Sequence, residues 1–398
     1  IQENIIAVAA DMDQNGYSDL LVGNGGSDYF GDSRYLQNRL YLQSKDGFNA
    51  ETLPGSIANT SVLEPADIDG DGDLDLFVGN RTYTGAFGKK PDSYLLHNDH
   101  GTWQITNQLD QAELGMVTDA LWTDFNADGA PDLIVVGEWM EPTFFENRKG
   151  ELTKIEMEVP TGLWQIIEPF DVDGDGNLDY LLGNWGTNSK FTASPNAPMR
   201  LYVSDFDANG NTDPVLAIHR DGAYYPLVNL DELAAQMPFL RKKYPTYRSF
   251  AGQHIEQLFE PEQLEQSQIL EVEELRSGYL KNEGGFFRFI PFPDVLQTAP
   301  ILHYLVADFN GDGKEEALAG GNYFGIKPYL GRLDAFPGAL ILNDTNILLT
   351  PALGLNFSGK SVRYLALLEM GEKNILLAVY NNESAEIFEL TFPKHLNP

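Results

Sequence analysis

Short apolar segments alternate with acidic, glycine-containing turns along most of the chain. Segments such as IIAVAA and HYLVA precede a turn, and segments such as DLLVGN, DLFVGN and DYLLGN follow one. Their short length and apolar content are typical of β-strands rather than helices. Each acidic turn is therefore predicted to join two neighbouring strands.

A second pair of strand-like segments, separated by a tight turn, follows in most repeats. Such pairs occupy residues 38–49, 93–106, 143–157, 278–292 and 338–353. A unit of four strands, with an acidic loop after the first and a tight turn after the third, spanning roughly 35–57 residues, is typical of a propeller blade.

The number of loops predicts the number of blades. Six acidic loops predict six blades, and residues 361–390 predict a seventh blade in which MGEKN replaces the loop. The predicted fold class is all-β, with one seven-bladed β-propeller domain over residues 1–398.

One interval between repeats breaks the pattern. The fifth loop starts at Asp205 and the sixth at Asp308, and the strand pair at 278–292 is assigned to the fifth blade. Residues 229–277 are rich in Leu, Ala, Gln and Glu at i, i+3, i+4 spacing, which predicts a helical insertion of two or three helices. The helices are predicted to be kinked or separated at Pro238, Pro245 and Pro261. This insertion is either a lid packed on the propeller or an element that docks a partner.

Charge and composition restrict the function further. The chain of 398 residues has a formal net charge of −33, which argues against nucleic acid or an anionic membrane as a partner. It has no cysteine, which excludes disulfides, thiolate metal sites and a cysteine nucleophile. No apolar run approaches the length of a membrane span. The chain opens at Ile1 with neither an initiator Met nor a signal peptide, which we interpret as the result of processing or trimming.

The acidic turns share one nine-residue pattern. It appears as DMDQNGYSD, DIDGDGDLD, DFNADGAPD, DVDGDGNLD, DFDANGNTD and DFNGDGKEE. Calcium binds six to eight oxygen ligands at about 2.3–2.6 Å. Side chains at positions 1, 3, 5 and 9 and the carbonyl of position 7 supply such oxygens around a sharp turn at the glycine of position 6. An EF-hand is excluded because position 12 is apolar in every loop and strand-like segments flank each loop.

The sequence therefore predicts up to six Ca²⁺ sites. The expected ligands in chain order are Asp11, Asp13, Asn15, Tyr17 and Asp19; Asp67, Asp69, Asp71, Asp73 and Asp75; Asp124, Asn126, Asp128, Ala130 and Asp132; Asp171, Asp173, Asp175, Asn177 and Asp179; Asp205, Asp207, Asn209, Asn211 and Asp213; and Asp308, Asn310, Asp312, Lys314 and Glu316.

With these loops the chain resembles the FG-GAP/VCBS repeats of the integrin α-subunit propeller. It is also similar, through residues 137–147, 183–217 and the segment LDELAAQMPFLRKKYPTY, to the ASPIC/UnbV-type bacterial surface proteins related to cartilage acidic protein. The resemblance implies a calcium-stabilised propeller that is secreted, periplasmic or attached to the outer cell surface.

The long connectors between second and third strands are candidates for ligand binding. In a propeller they leave the sheets at the edge opposite the calcium loops, and they concentrate aromatic and basic residues that suit a glycan or an acidic peptide. The alternative is that these side chains plug the central funnel. The candidate ligand-binding residues are Tyr29, Arg34, Tyr83, Phe87, Lys89, Trp185, Lys190, Tyr323, Lys327 and Arg332.

Two classes of function remain open. The sequence carries no G-x-S-x-G, H-E-x-x-H or phosphate-loop motif, so we favour a non-catalytic module, monomeric as a propeller, that binds a glycan or protein ligand. The alternative is a polysaccharide-active enzyme of the lyase type, which would need a base beside a metal on the ligand-binding face.

Calcium removal should destabilise the protein. Carboxylates crowded into the loops repel one another without a cation, and a metal that binds only the native state stabilises it by mass action. We expect excess EGTA to lower the melting temperature by many degrees and added Ca²⁺ to restore it. An unchanged melting curve after verified metal removal would contradict this prediction.

Overall fold

The computed structural model of the chain describes residues 3–31, 33–106, 109, 113–370 and 373–390. Within these residues, antiparallel strands form seven sheets, most of which have four strands. Part of the predicted MGEKN turn, residues 371 and 372, lies outside the described residues. The all-β prediction is confirmed.

We name the sheets A to G by their strands. Sheet A comprises Glu3–Ala10, Asp19–Gly25, Arg39–Ser44 and Gly47–Thr52. Sheet B comprises Asn59–Ala66, Asp75–Thr82, Tyr94–Asp99 and Thr102–Thr106. Sheet C comprises Met116–Thr123, Asp132–Met140, Thr143–Arg148 and Glu151–Ile155. Sheet D comprises Ile166–Phe170, Asp179–Gly183, Gly278–Asn282 and Phe287–Pro291.

The remaining sheets follow the same convention. Sheet E comprises Met199–Ser204, Asp213–Arg220, Ala223–Pro226 and Gln268–Val272. Sheet F comprises Ile301–Ala307, Glu316–Gly321, Ala339–Ile341 and Ile347–Leu349. Sheet G comprises Val362–Met370, Lys373–Tyr380 and Glu386–Glu389. A two-residue strand at Gly162–Leu163 completes the strands of the described chain.

The helices are short. Five α-helices lie within the predicted insertion, at Leu230–Gln236, Phe239–Lys243, Tyr247–Phe250, Ile255–Leu258 and Pro261–Glu265. Four 3₁₀ turns lie at Arg34–Leu36, Asp294–Leu296, Pro328–Leu330 and Thr350–Leu353. No helix within the described residues is long and apolar enough to cross a membrane.

The helical insertion differs from the prediction of two or three helices. Each predicted proline break is present, and one further break, between Phe250 and Ile255, divides the segment into five helices. The residues after the last helix form the strand Gln268–Val272 of sheet E instead of continuing the helical pattern. Buried leucines of the first helices pack on sheet E, which makes the insertion part of that sheet's core.

The chain forms two compact units. The first holds residues 1–156, 160–162 and 192–274, and thus sheets A, B, C and E with the helices. The second holds residues 157–159, 163–191 and 275–398, and thus sheets D, F and G. Each unit has its own apolar contacts between successive sheets.

Neighbouring sheets of each unit pack mostly through their first and second strands, except that sheet E contacts sheet C through Gln268–Val272. In the first unit, Asn59–Ala66 packs against both Glu3–Ala10 and Asp19–Gly25, and Met116–Thr123 repeats this contact on sheet B. In the second unit, Ile301–Ala307 packs on sheet D and Val362–Met370 packs on sheet F. Apolar side chains such as Leu63 and Phe77 fill these interfaces and are fully buried.

The second strand of a sheet is buried on both faces. Every residue of Asp132–Met140 is buried, whereas every residue of Gly47–Thr52, a fourth strand, is exposed. The sequence of a strand that is covered on both faces is a continuous apolar run, whereas apolar and polar residues alternate in a strand with one exposed face. This explains why the second strands are the strongest apolar segments of the sequence.

Sheets D and E correct one sequence prediction. The pair at 278–292 was assigned to the fifth blade, but Tyr180 pairs with Leu280, so the pair completes sheet D after the fourth loop. The whole of sheet E is therefore inserted in the chain between the two halves of sheet D. The fourth strand of sheet E, Gln268–Val272, pairs with the first strand, Met199–Ser204. It lies on the side of the first strand opposite Asp213–Arg220.

A buried asparagine stands at the end of the second strand in four sheets. These residues are Asn24, Asn80, Asn184 and Asn322. The Asn80 amide donates to Asp92 O at 2.6 Å and to Ser56 Oγ at 3.2 Å, and its oxygen accepts from Thr60 Oγ1 at 2.8 Å. The side chain thus holds the start and the end of the long connector together.

Replacement of Asn80 by Ala should destabilise the protein. It removes the bond to the Asp92 carbonyl and takes from the buried Thr60 hydroxyl its Asn80 partner, which costs about 1–3 kcal/mol of unfolding free energy. Asn49→Ala, on the exposed fourth strand of sheet A, is the matched control and should change little. Chemical denaturation in calcium measures both, and equal stabilities would contradict the assigned role.

Candidate metal centres

The backbone of the six acidic loops is the same throughout. The glycines at position 6 are Gly16, Gly72, Gly129, Gly176, Gly210 and Gly313, with φ between 84 and 99°. This left-handed conformation is the sharp turn that the sequence predicts, and it favours glycine because a side chain there is strained. The chain therefore turns in the same way at position 6 of all six loops.

Position 4 is also left-handed, which sequence reasoning missed. It holds glycine in three loops, but Gln14, Ala127 and Ala208 adopt φ values of 57, 59 and 56°. Non-glycine residues rarely adopt this conformation. The presence of glycine at position 4 in half of the loops was the signal that a second turn is required.

Hydrogen bonds within each loop orient the side-chain oxygens inwards. In the fourth loop, Gly176 N donates to Asp171 Oδ2 at 2.9 Å, and Asn177 N donates to Asp175 Oδ1 at 2.8 Å. The corresponding bond to the first aspartate is present in all six loops. The loop backbone thus fixes the carboxylates before any cation binds.

Carboxylates converge most clearly in three loops. Oxygens of positions 1, 3 and 9 lie within 4.8 Å of one another in the first, fourth and fifth loops. The residues are Asp11, Asp13 and Asp19; Asp171, Asp173 and Asp179; and Asp205, Asp207 and Asp213. In the third and sixth loops position 3 is Asn126 or Asn310, so its side chain offers an amide oxygen instead of a carboxylate.

The second loop brings a histidine close to its aspartates. Carboxylate oxygens of Asp69 and Asp71 and a ring nitrogen of His97 lie within 4.8 Å of one another. His97 Nδ1 is 2.9 Å from Asp75 Oδ1, so the imidazole is a hydrogen-bond partner of the ninth-position carboxylate. In the fourth loop Lys281 contacts Asp173 in a comparable way. Neither neighbour was predicted as part of a site.

The ninth residue has a second role that the sequence did not reveal. Asp19, Asp75, Asp132, Asp179, Asp213 and Glu316 are all buried. In the fourth loop, Asp179 Oδ2 accepts from Val172 N at 3.1 Å and Asp179 Oδ1 accepts from Asn282 N on the third strand at 2.8 Å. The same pair of bonds recurs at Asp19 and Asp75. This carboxylate therefore joins the loop to the third strand of its own sheet.

The second residue of a loop binds to the neighbouring element. Asn147 Nδ2 of sheet C donates to Ile68 O in the loop of sheet B at 2.8 Å. In the second unit, Asp344 N of sheet F donates to Val172 O in the loop of sheet D at 3.0 Å. The conformation of each of these loops is thus coupled to the packing of successive sheets.

Burial perturbs the ninth-position carboxylates. It raises the pKa of Asp132, Asp179 and Asp213 to about 6 each, and nearby loop aspartates raise it further. Burial likewise raises the pKa of Asp75 and Glu316. A buried negative charge beside other negative charges is unfavourable unless a cation compensates it.

The donor set fits Ca²⁺. Most predicted side-chain ligands are carboxylate or amide oxygens, which hard divalent cations prefer. Asp207 Oδ1 in the fifth loop is buried and has no hydrogen-bond partner among the described residues, and a bound cation would satisfy it. The carbonyl ligands at Tyr17, Asp73, Ala130, Asn177, Asn211 and Lys314 remain predictions.

The candidate ligand-binding residues divide between the two units. In the first, the rings of Tyr29 and Tyr35 are 4.5 Å apart, the Tyr83 hydroxyl contacts Asp92, and Arg34, Phe87 and Lys89 are exposed. A Cβ on Gly88 would lie 2.5 Å from Val203, so this connector packs closely on sheet E. This close packing at Gly88 favours the alternative in which the connector has a packing role. Phe87, the preceding residue, is nevertheless exposed.

In the second unit, aromatic candidates are more buried than predicted. The rings of Trp185 and Tyr323 are 5.3 Å apart, and both pack on the apolar core between sheets D and F. Lys190 contacts the Tyr329 carbonyl, and Arg332 forms an ion pair with Asp334 at 2.8 Å. Lys327 is exposed. Trp185 and Tyr323 thus have a packing role in addition to any role in binding.

Comparisons with known proteins agree with the loop geometry. A family described as FG-GAP-like repeat matches residues 11–78 and 124–182, and each match begins at the first aspartate of an acidic loop. The chain therefore contains FG-GAP-like repeats, and it is an all-β repeat protein. No curated protein matches the chain. Among solved structures, the V. cholerae biofilm matrix protein Bap1 is similar at 12% identity and a TM-score of 0.39, covering 97% of this chain and 77% of that chain.

The metal-free protein should become more stable on mild acidification. Aspartate titrates near 3.8 when unfolded but near 6 at Asp132, Asp179 and Asp213 when folded, so the folded state binds protons more tightly between these values. The stability gained from protonation is full below the unfolded pKa and is lost as the pH rises through the folded pKa. In EGTA, the melting temperature should rise between about pH 7.5 and about pH 5.

Two controls test this assignment. Asp179→Asn cannot ionise at that position, so its melting temperature in EGTA should rise less with acidification. In saturating Ca²⁺ the cation competes with protons, and the rise should disappear. A metal-free melting temperature that falls steadily from neutral pH to about pH 5 would contradict the prediction.

Proposed function

We propose that this protein is a calcium-stabilised extracellular or cell-surface module for adhesion or scaffolding, built as one seven-bladed β-propeller. The observation that carries the proposal is the convergence of loop carboxylates around a buried ninth residue, repeated within FG-GAP-like repeats. The finer relation to ASPIC/UnbV-type surface proteins is part of the same proposal.

The energetics favour a structural role for calcium. The loops join the first two strands of six sheets, and their ninth residues bond to the third strand in at least four of them. A cation in each loop would neutralise buried charge at the points where the strands meet. Extracellular calcium modules often bind at roughly 10⁻⁴–10⁻³ M, a range that external fluids can saturate. This supports a location outside the cytoplasm.

The sheet arrangement supports the propeller. Seven sheets are described, and within each unit successive sheets pack on one another, mostly through their first and second strands, as propeller blades do. We propose that residues 1–398 form one propeller domain and that the helical insertion of residues 229–277 is attached to sheet E.

The ligand is proposed to be a glycan or a protein that binds the long connectors. The chain has a net charge of −33, so most of its charged residues are acidic. The connectors differ because they carry exposed basic residues. Phe87 and Lys89 are separated by Gly88 on one connector, and both are exposed. Aromatic and basic side chains in such a place often dominate binding energy.

A matched pair of phenylalanine variants tests the adhesive role. In calcium, Phe87→Ala should weaken binding to the best ligand of a glycan and matrix-protein array by about tenfold, the effect of losing one aromatic anchor. Phe48→Ala removes an even more exposed ring from the outer strand of sheet A and should leave binding unchanged. Both variants should keep the calcium-dependent melting temperature.

Three outcomes decide the proposal. Binding that needs calcium and Phe87 supports it. Equal loss in both variants, or no binding to any array component by the calcium-loaded protein, contradicts it. Appearance of unsaturated sugar products with an acidic polysaccharide would favour the lyase alternative instead.

A further inference from the structure

We propose that the first unit carries a second, smaller binding site, on sheet C, for one neutral sugar residue. The inference rests on the proposed adhesive function and deepens it by naming a ligand class. The cavity includes Lys90 of the connector of sheet B but neither Phe87 nor Lys89. The site is a cavity of about 290 Å³ at the end of the strand Asp132–Met140. Its lining includes Lys90, Glu113, Trp139, Glu141 and Lys154.

The cavity exists because sheet C departs from its neighbours. In sheets A and B a long connector follows the second strand and a buried asparagine holds it. In sheet C only Glu141 and Pro142 separate the second strand from the third. The place that a connector occupies in the neighbouring sheets is thus left as a cavity beside Lys90, a residue of the connector of sheet B.

Trp139 has a rare backbone conformation. Its φ is 61°, in the left-handed region that a bulky residue rarely adopts. Strained residues of this kind persist where the surroundings enforce them, and they concentrate at binding and catalytic sites. An ordinary structural tryptophan would not need this conformation.

The residues on either side of Trp139 enforce it. The Glu138 carboxylate is buried and receives two bonds from Arg81, at 2.8 and 3.2 Å. Met140 is held between Gly115 and Gly137, where added Cβ atoms would come within 3.0 and 2.7 Å of its side chain. Trp139 is therefore positioned in advance of any ligand, which lowers the entropic cost of binding.

The charged groups of the cavity are balanced. Lys90 Nζ lies 4.0 Å from the Glu113 carboxylate and 3.3 Å from the Glu113 carbonyl. Lys154 Nζ lies 3.5 Å from Glu141. The cavity thus presents two ammonium groups as donors and two carboxylates as acceptors, and the buried residue Trp139 forms part of its wall.

This chemistry suits a neutral sugar better than a charged ligand. Adjacent hydroxyls of a pyranose can accept from an ammonium and donate to a carboxylate at once. An anionic ligand would meet Glu113, Glu141 and a protein of net charge −33. The cavity volume is near the lower limit of small-molecule sites, which excludes ligands much larger than one or two rings.

The test uses methyl glycosides as probes. Methyl glycosides of glucose, galactose, mannose and N-acetylglucosamine, with methyl glucuronide as the anionic comparator, are titrated into the calcium-loaded full chain. Saturation-transfer NMR detects binding, and tryptophan fluorescence measures the affinity. We expect one neutral glycoside to bind in preference to the glucuronide.

Three variants assign the binding to this cavity. Trp139→Asn keeps a residue that tolerates the left-handed backbone and removes the indole, and it should weaken binding at least tenfold. Lys154→Met keeps the length of the side chain and removes the ammonium, and it should weaken binding several-fold. Lys149→Asn, at an exposed left-handed position of the same sheet (φ 57°), is the matched control and should bind normally.

Failure of this inference differs from failure of the proposed function. If no neutral glycoside binds, if only the glucuronide binds, or if Trp139→Asn and Lys149→Asn bind equally, the sugar site is wrong. Calcium stabilisation and binding that depends on Phe87 would be unaffected by those results. If Trp139→Asn does not fold, Lys154→Met decides alone, and its unchanged affinity would overturn the site.

Discussion

The buried carboxylate at the ninth position of each acidic loop is the contact on which the local structure depends. In sheet D, for example, one oxygen of Asp179 holds the start of the loop and the other holds the third strand. A carboxylate can be buried in this way only if hydrogen bonds and positive charge compensate the loss of water. The backbone supplies the hydrogen bonds, and burial still raises the carboxylate pKa, so a proton or a cation would stabilise this group.

This requirement extends beyond a single loop. The carbonyl of Val172, one residue after the first aspartate, accepts a bond from sheet F, and that of Ile68 accepts one from sheet C. A cation that orders a loop would therefore also order the contact with the neighbouring sheet. Repeat proteins gain stability from such contacts between neighbours, because each repeat alone cannot bury its apolar faces.

The opposite ends of the second strands follow a different polar chemistry. There, buried amides such as Asn80 and Asn322 hold long connectors by several hydrogen bonds each. In sheet C the buried side chain at this end is Glu138, which forms an ion pair with Arg81. The connector of sheet C has only two residues. The edge that carries the acidic loops is thus similar in six sheets, whereas the connector edge varies, and variation of this kind is where ligand specificity is commonly located.

The amino-acid sequence by itself determined the strands, the six acidic loops and the glycine turn at position 6. These features are local: strand periodicity, ligand spacing and backbone sterics all act within a few residues. The sequence could not assign the pair 278–292, because neighbouring segments in a chain usually pair, and only side-chain packing shows that Leu280 pairs with Tyr180 across an intervening sheet. Nor could it show that Asp179 binds a strand about a hundred residues away, or that Trp139 is held in a left-handed conformation. Those features depend on the distances between segments, which burial and hydrogen bonding decide only once the sheets have packed together.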